Sequence, residues 1–243
     1  MKAISNKTWL LALGATVLAA CDSGDSVTTF VPDPAPLPTA TFQVTVTNLT
    51  NGQPLSPIGV IAHADGYSVF SIGAAASAGL EELAEGGDNS ALLAEADADA
   101  NVFATASGGA PIGPGGRETI SIEVLQSDLA GMRLSTGTML VNTNDAVTMA
   151  NAVDLSAMQS GDAVTLRTIA YDAGTEADTE LAAHIPGPAG GGEGFNAARD
   201  DDADRVSMHS GVVGADDGFA GSGLSNQHRF DNPVAMVRIE RVN

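Results

Sequence analysis

Residues 41–49, "TFQVTVTNL", alternate strictly, with Phe42, Val44 and Val46 on one side and Gln43, Thr45 and Thr47 on the other. A period of two is the mark of a half-buried β-strand. The same pattern returns in "GPGGRETISIEVL" (113–125), where Ile120, Ile122 and Val124 oppose Thr119, Ser121 and Glu123. It returns again in the closing "NPVAMVRIERVN", where Val237 and Ile239 oppose Arg238 and Glu240. "IGVIAHA" (58–64) is apolar throughout and predicts a buried strand, and two more strands are predicted within 133–145 and 162–176. Turn chemistry separates them, most clearly in "NGQPLSP" (51–57). Residues 74–88 instead have helical propensity and stop at Gly86-Gly87, and "SALLAEADADA" (90–100) predicts a second short helix. "IPGPAGGGEGFNAARDDDAD" (185–204) predicts a long loop. Strands divided by turns, with one helical interruption, predict an all-β antiparallel sandwich.

The first forty residues obey other rules. Lys2 and Lys7 precede an apolar run, "WLLALGATVLAA" (9–20), that is too short to span a bilayer as a helix. It ends in "LAAC", which resembles the lipobox of bacterial lipoprotein signal peptides and predicts cleavage before Cys21 and acylation of that residue. Cys21 is the only cysteine in the chain, so it has no disulfide partner within it. Stable attachment takes more than one acyl chain, which a lipidated N-terminal cysteine supplies. Asp22 comes next, as in inner-membrane retention signals of enterobacterial lipoproteins, a rule that does not hold for all bacteria. Prolines at 32, 34, 36 and 38 favour extended polyproline II and a semi-rigid spacer. The expected organisation is a signal peptide over 1–20, a lipidated, Pro-rich tether over 21–40 and one domain over 41–243.

Both lysines lie in the leader. The chain beyond it keeps eight arginines against thirty acidic residues, a net charge near −22. This argues against binding nucleic acid or anionic lipid through a basic surface. Much of the charge is ordinary solvated surface, but "TIAYDAGTEADTE" (168–180) concentrates four carboxylates, Asp172, Glu176, Asp178 and Glu180, after a predicted strand. Two readings of Asp172 stand open on the residues alone. Asp172-Ala173-Gly174 suits an Asx turn. Equally, carboxylates gathered from loops at one end of a sandwich repel one another unless a cation joins them, and calcium takes six to eight oxygens.

"YDAGT" followed by Glu176 resembles the motif at the heart of spondin-type domains, found in secreted matrix proteins and bacterial relatives. "NLTNGQPLSPIGVIAHA", "GAAASAGLEELAEGGD", "VNTNDAV", "HSGV" (209–212) and the closing "NPVAMVRIERV" keep the order that the family shows, so the resemblance covers nearly all of 41–243. It implies a sandwich of about eight strands, like that of calcium-dependent membrane-binding domains, holding Ca2+. It implies Asp172 as a ligand, with Asp145 of "VNTND" and Glu123 of "SIEV" as the others, while Glu176 and Asp178 are either further ligands or solvated. The cysteines and matrix-targeting partner domains of the animal members are absent, so the resemblance does not extend to a matrix or receptor role.

Other motifs carry less. "GGEGFN" (191–196) resembles one half-turn of a calcium-binding nonapeptide repeat, but such sites need stacked copies and there is one, so it reads as loop. "DDDAD" (200–204) lacks the glycine and glutamate of an EF-hand. The four histidines have no HExxH spacing, and His63, within an apolar strand, reads as a satisfied core residue. There is no GxSxG and no phosphate loop. The expected protein is non-enzymatic: an exported, membrane-anchored lipoprotein of the bacterial envelope that binds calcium and meets a surface protein or glycan. The alternatives are a hydrolase of extracellular polymers using paired carboxylates, and a structural surface component.

Overall fold

The computed structural model describes residues 35–198 and 203–243. The leader, Cys21, most of the tether and Asp200–Asp202 lie outside the described residues. The folded unit runs from Leu37 to Asn243. Its strands are β1 (Thr39–Asn48), β2 (Gly59–His63), β3 (Val102–Ser107), β4 (Arg117–Leu125), β5 (Arg133–Met139), β6 (Ala146–Asp154), β7 (Ala163–Thr168), β8 (Ala170–Asp172), β9 (Ser207–Met208) and β10 (Ala235–Arg241). Two helices, α1 (Ala78–Gly86) and α2 (Ser90–Ala98), come after β2. The fold is an antiparallel β-sandwich: one sheet of four strands, β4-β1-β10-β7, and one of six, β3-β2-β5-β6-β8-β9.

β1 begins at Thr39, so Thr39 and Ala40 belong to the domain rather than to the tether, and Ala40 is fully buried. β1 pairs with β4 on one side and β10 on the other, with Val44 opposite Ile120 and Ile239. The alternating apolar positions of these strands pack against Val60, Ala62, Leu134, Ala146 and Ala170 of the other sheet. Phe42 is wholly enclosed there, and burying such a side chain stabilises the fold by about 1.5–3 kcal/mol.

The other face of the six-stranded sheet is also covered. Leu80 and Leu83 of α1 and Leu92, Leu93 and Ala96 of α2 pack on Ile61, Val147 and Met149. The helices are fastened locally: the Ser77 hydroxyl accepts from the Leu80 amide at 3.2 Å, and Gly87 N–H donates to Leu83 O at 2.9 Å where the helix stops. A sheet covered on both faces loses its alternation, so β6 opens with five consecutive buried residues and does not read as a strand in sequence.

The run 162–176 is not one strand. It breaks at Ile169, placing β7 in the four-stranded sheet and β8 in the six-stranded one. Thr148 Oγ1 marks the corner, donating to Thr168 Oγ1 at 2.7 Å and lying 2.9 Å from the Ile169 carbonyl. This crossing brings "YDAGT" alongside β6, with Asp172 opposite Ala146.

Candidate metal centre

Two loops make the centre: 140–145, which joins β5 to β6, and 173–180, which leads away from β8. The first is a tight, internally bonded turn. Thr143 Oγ1 donates to Leu140 O at 2.6 Å and accepts from Ala146 N at 3.0 Å. Buried Gln53 grips it from "NGQP", accepting from Asn142 N at 3.0 Å and donating to Asn142 O at 3.1 Å. Asn144 ties the two loops together, donating to Glu176 Oε1 at 3.1 Å and accepting from Glu180 N at 3.1 Å.

Asp145 lies between them, fully buried. Its Oδ2 accepts from the amides of Thr175 at 2.9 Å and Glu176 at 3.2 Å. Its Oδ1 is buried with no hydrogen-bond partner. Burial pushes the Asp145 carboxyl up to about 8, and the negative charges of Asp172 and Asp178 push the same way against those two amides. An unsatisfied buried carboxylate oxygen is costly, so this oxygen is the feature of the centre that most needs a partner.

Asp172 stands beside it at the end of β8. Its Oδ1 accepts from Gly174 N at 2.7 Å, closing the Asx turn. Gly174 has φ +72°, and an added Cβ would come within 2.5 Å of the Arg205 carbonyl oxygen. The glycine of "YDAGT" is thus required both by its backbone and by close approach of the neighbouring chain. The turn leaves the Asp172 charge close enough to act on both Asp145 and His209.

Asp178 and His209 complete the convergence. Ligand-type atoms of Asp145, Asp178 and His209 all lie within 4.8 Å of one another, the one such group of three among the described residues. His209 Nε2 is 3.6 Å from Asp178 Oδ1, with the histidine side chain buried and that of Asp178 about one-third exposed (33%). Burial lowers the His209 pKa, against the opposing pull of Asp172. Farther along the loop, Glu180 is buried, with Oε1 accepting from Val213 N at 3.0 Å and Oε2 without a hydrogen bond. Burial pushes its carboxyl up to about 7, with Asp178 adding to the rise.

Two of the three expected ligands, Asp145 and Asp172, are therefore brought together, and Glu123 is not. The alternation that sends Ile122 and Val124 inward turns Glu123 outward, exposed on the four-stranded sheet. It also pairs with Thr41, toward the opposite end of β1 from the centre. Glu176 is buried and engaged by Asn144, with His184 Nδ1 3.5 Å away. His63 is the satisfied core residue its strand suggests, with Nδ1 2.8 Å from Ala64 O and Nε2 2.9 Å from Ser135 Oγ. The part played by His209 is not legible in sequence; its one signal is the "HSGV" spacing. Compared with known proteins, the chain matches no family model and no curated protein.

Proposed function

We propose that this chain is a spondin-like, calcium-binding domain, exported and held at a bacterial membrane through lipidated Cys21, with a non-catalytic role in adhesion or surface interaction. The observation that carries the metal is Asp145: a wholly buried carboxylate with one oxygen lacking a hydrogen bond, acted on by two further negative charges. The donor set suits the ion. Carboxylate oxygens from Asp145, Asp172 and Asp178 are what a hard divalent cation takes, with carbonyls or water completing the number. Bound calcium would supply positive charge that neutralises the three carboxylates and joins the two loops. The adhesion role and the spondin kinship rest on the resemblance of motifs, and the anchor on the lipobox.

Burial also supports binding over hydrolysis. A carboxyl raised to about 8 has the protonation of a general acid, but Asp145 is enclosed and offers no surface on which a polymer chain can lie. A cation can be met from solvent by Asp178, whose side chain is partly exposed.

Thermal melts with calcium and with chelator test the metal. Calcium at tenfold excess over Kd should stabilise the fold by roughly 1.4 kcal/mol. Asp172→Asn should remove most of that gain, and Asp145→Asn should weaken it. A parent protein that melts identically in calcium and chelator returns Asp172 to its turn alone. The anchor is tested separately: Cys21→Ser should release the protein from membranes, and material that still pellets with membranes after a salt wash would sink the lipid attachment.

A further inference from the structure

"HSG", residues 209–211, sits at the rim of the centre, and its geometry settles where the imidazole proton is. Gly211 N–H donates to His209 Nδ1 at 2.9 Å. A nitrogen that accepts a hydrogen bond carries no proton, so the ring is neutral and its proton lies on Nε2. Nε2 faces Asp178 Oδ1 at 3.6 Å, somewhat beyond hydrogen-bond length, and has no other hydrogen-bond partner.

The arrangement is held firmly. The His209 side chain is fully enclosed, its ring centroid is 5.5 Å from that of Phe230, and its amide donates to Ala170 O at 3.2 Å. Gly211 has φ +91°, a conformation that L side chains rarely adopt, and this aims its N–H back at the ring.

We propose that His209 and Gly211 form a tautomer lock, which keeps Nε2–H a donor toward Asp178 and keeps the imidazole out of the metal's coordination shell. A ligating histidine presents one bare nitrogen to the metal and donates its other N–H to a carbonyl or carboxylate. Here that second nitrogen meets a donor. Ligation through Nε2 would set an Nδ1–H against the Gly211 N–H, head to head. Zinc, which favours imidazole and thiolate, would therefore find only carboxylates in the pocket, whereas an oxygen-seeking ion loses nothing. His209 is thus a positioning residue: its N–H points at Asp178 across 3.6 Å, and its dipole offsets part of the repulsion among the carboxylates. This selectivity rests on the calcium reading; the lock itself does not.

Long-range proton–nitrogen NMR of the histidine rings in the full-length protein reads the tautomer directly, before and after addition of calcium chloride and then of zinc chloride. The lock predicts an Nε2–H pattern at His209 in every state, with tighter binding of calcium than of zinc. His209→Ala should weaken calcium binding by about 10–100-fold, the usual cost of removing a residue that supports a ligand from behind. His209→Gln places an amide N–H within similar reach and should recover most of the affinity. An Nδ1–H pattern, loss of the Nε2 proton on adding either metal, or undiminished calcium affinity in a folded His209→Ala protein overturns the proposal. A parent that binds no calcium but keeps the Nε2–H pattern removes the calcium reading and upholds the lock. A parent that binds calcium with the opposite tautomer does the reverse.

Discussion

The two sheets solve different problems. In the four-stranded sheet, β1, β4 and β10 bury one face and turn the other outward, and the outward positions carry half-buried Thr41, Thr45 and Arg238 and exposed Gln43 and Ser121. Polar groups there face solvent and need little from the protein. The six-stranded sheet lies between the first sheet and the two helices, and the loops at its end enclose Asn142, Thr143, Asn144 and Asp145, all nearly inaccessible. Polar groups there must be satisfied by the fold, and most are. The exceptions at the centre, Asp145 Oδ1, Glu180 Oε2 and His209 Nε2, gather in one neighbourhood. In the open sheet Glu118 Oε2 of β4 stands singly in the same condition, so it is the clustering at the end of the covered sheet that sets the centre apart.

The largest test of this contrast leaves the centre alone. Phe42→Ala opens a cavity between the sheets and should cost about 3–5 kcal/mol, equally with calcium and with chelator. Unequal losses, read by urea melts in both conditions, would show that the inter-sheet core and the centre are coupled.

A smaller effect comes from pH in calcium-free protein. Asp145 has its folded pKa raised to about 8 and Glu180 to about 7, both above their unfolded values. The folded state therefore holds protons that the unfolded state has lost, and stability should fall as pH rises from about 7.5 to 8.5. His63, His209 and His228 are all lowered by burial, while their unfolded forms titrate at about 6.5, so by about pH 7.5 they are largely neutral in both states and do not offset the fall. Asp145→Asn should flatten most of the fall, and calcium should oppose it. A chelated protein whose melting temperature holds level between those pH values would mean that Asp145 is open to solvent rather than enclosed.

The smallest expected effect belongs to the open sheet. Glu123→Gln should change stability by no more than about 0.5 kcal/mol, as at other exposed positions, and leave the calcium response intact. A lost calcium response would bring Glu123 back as a ligand and require the two sheets to meet differently.

The same contrast explains what can be read in advance. Strands β1, β4 and β10 announce themselves through alternation, because one face is wet. β6 does not, because Ala146–Ala150 are buried on both faces. The break at Ile169 is hidden because an apolar residue at a sheet corner looks like one inside a strand. Asp145 and Asp172 are legible through short motifs around tight turns. Asp178 shows only as a member of a charge run, since nothing local tells which of four neighbouring carboxylates turns inward. His209 lies more than thirty residues beyond Asp172 and reaches the centre through the pairing of β9 with β8, which no local pattern encodes.

β1 enters the domain at Thr39 and ends at Asn48, beside the loops of the centre, with seven residue pairs to β10 and nine to β4. Pulling between those loops and the N-terminal entry point would load the strand lengthwise. Both ladders would then be strained in shear, their bonds sharing the load, rather than peeled open one pair at a time. If the proposed anchor holds the N-terminal end and a partner grips the loops of the centre, this placement of the first strand would let the domain bear tension.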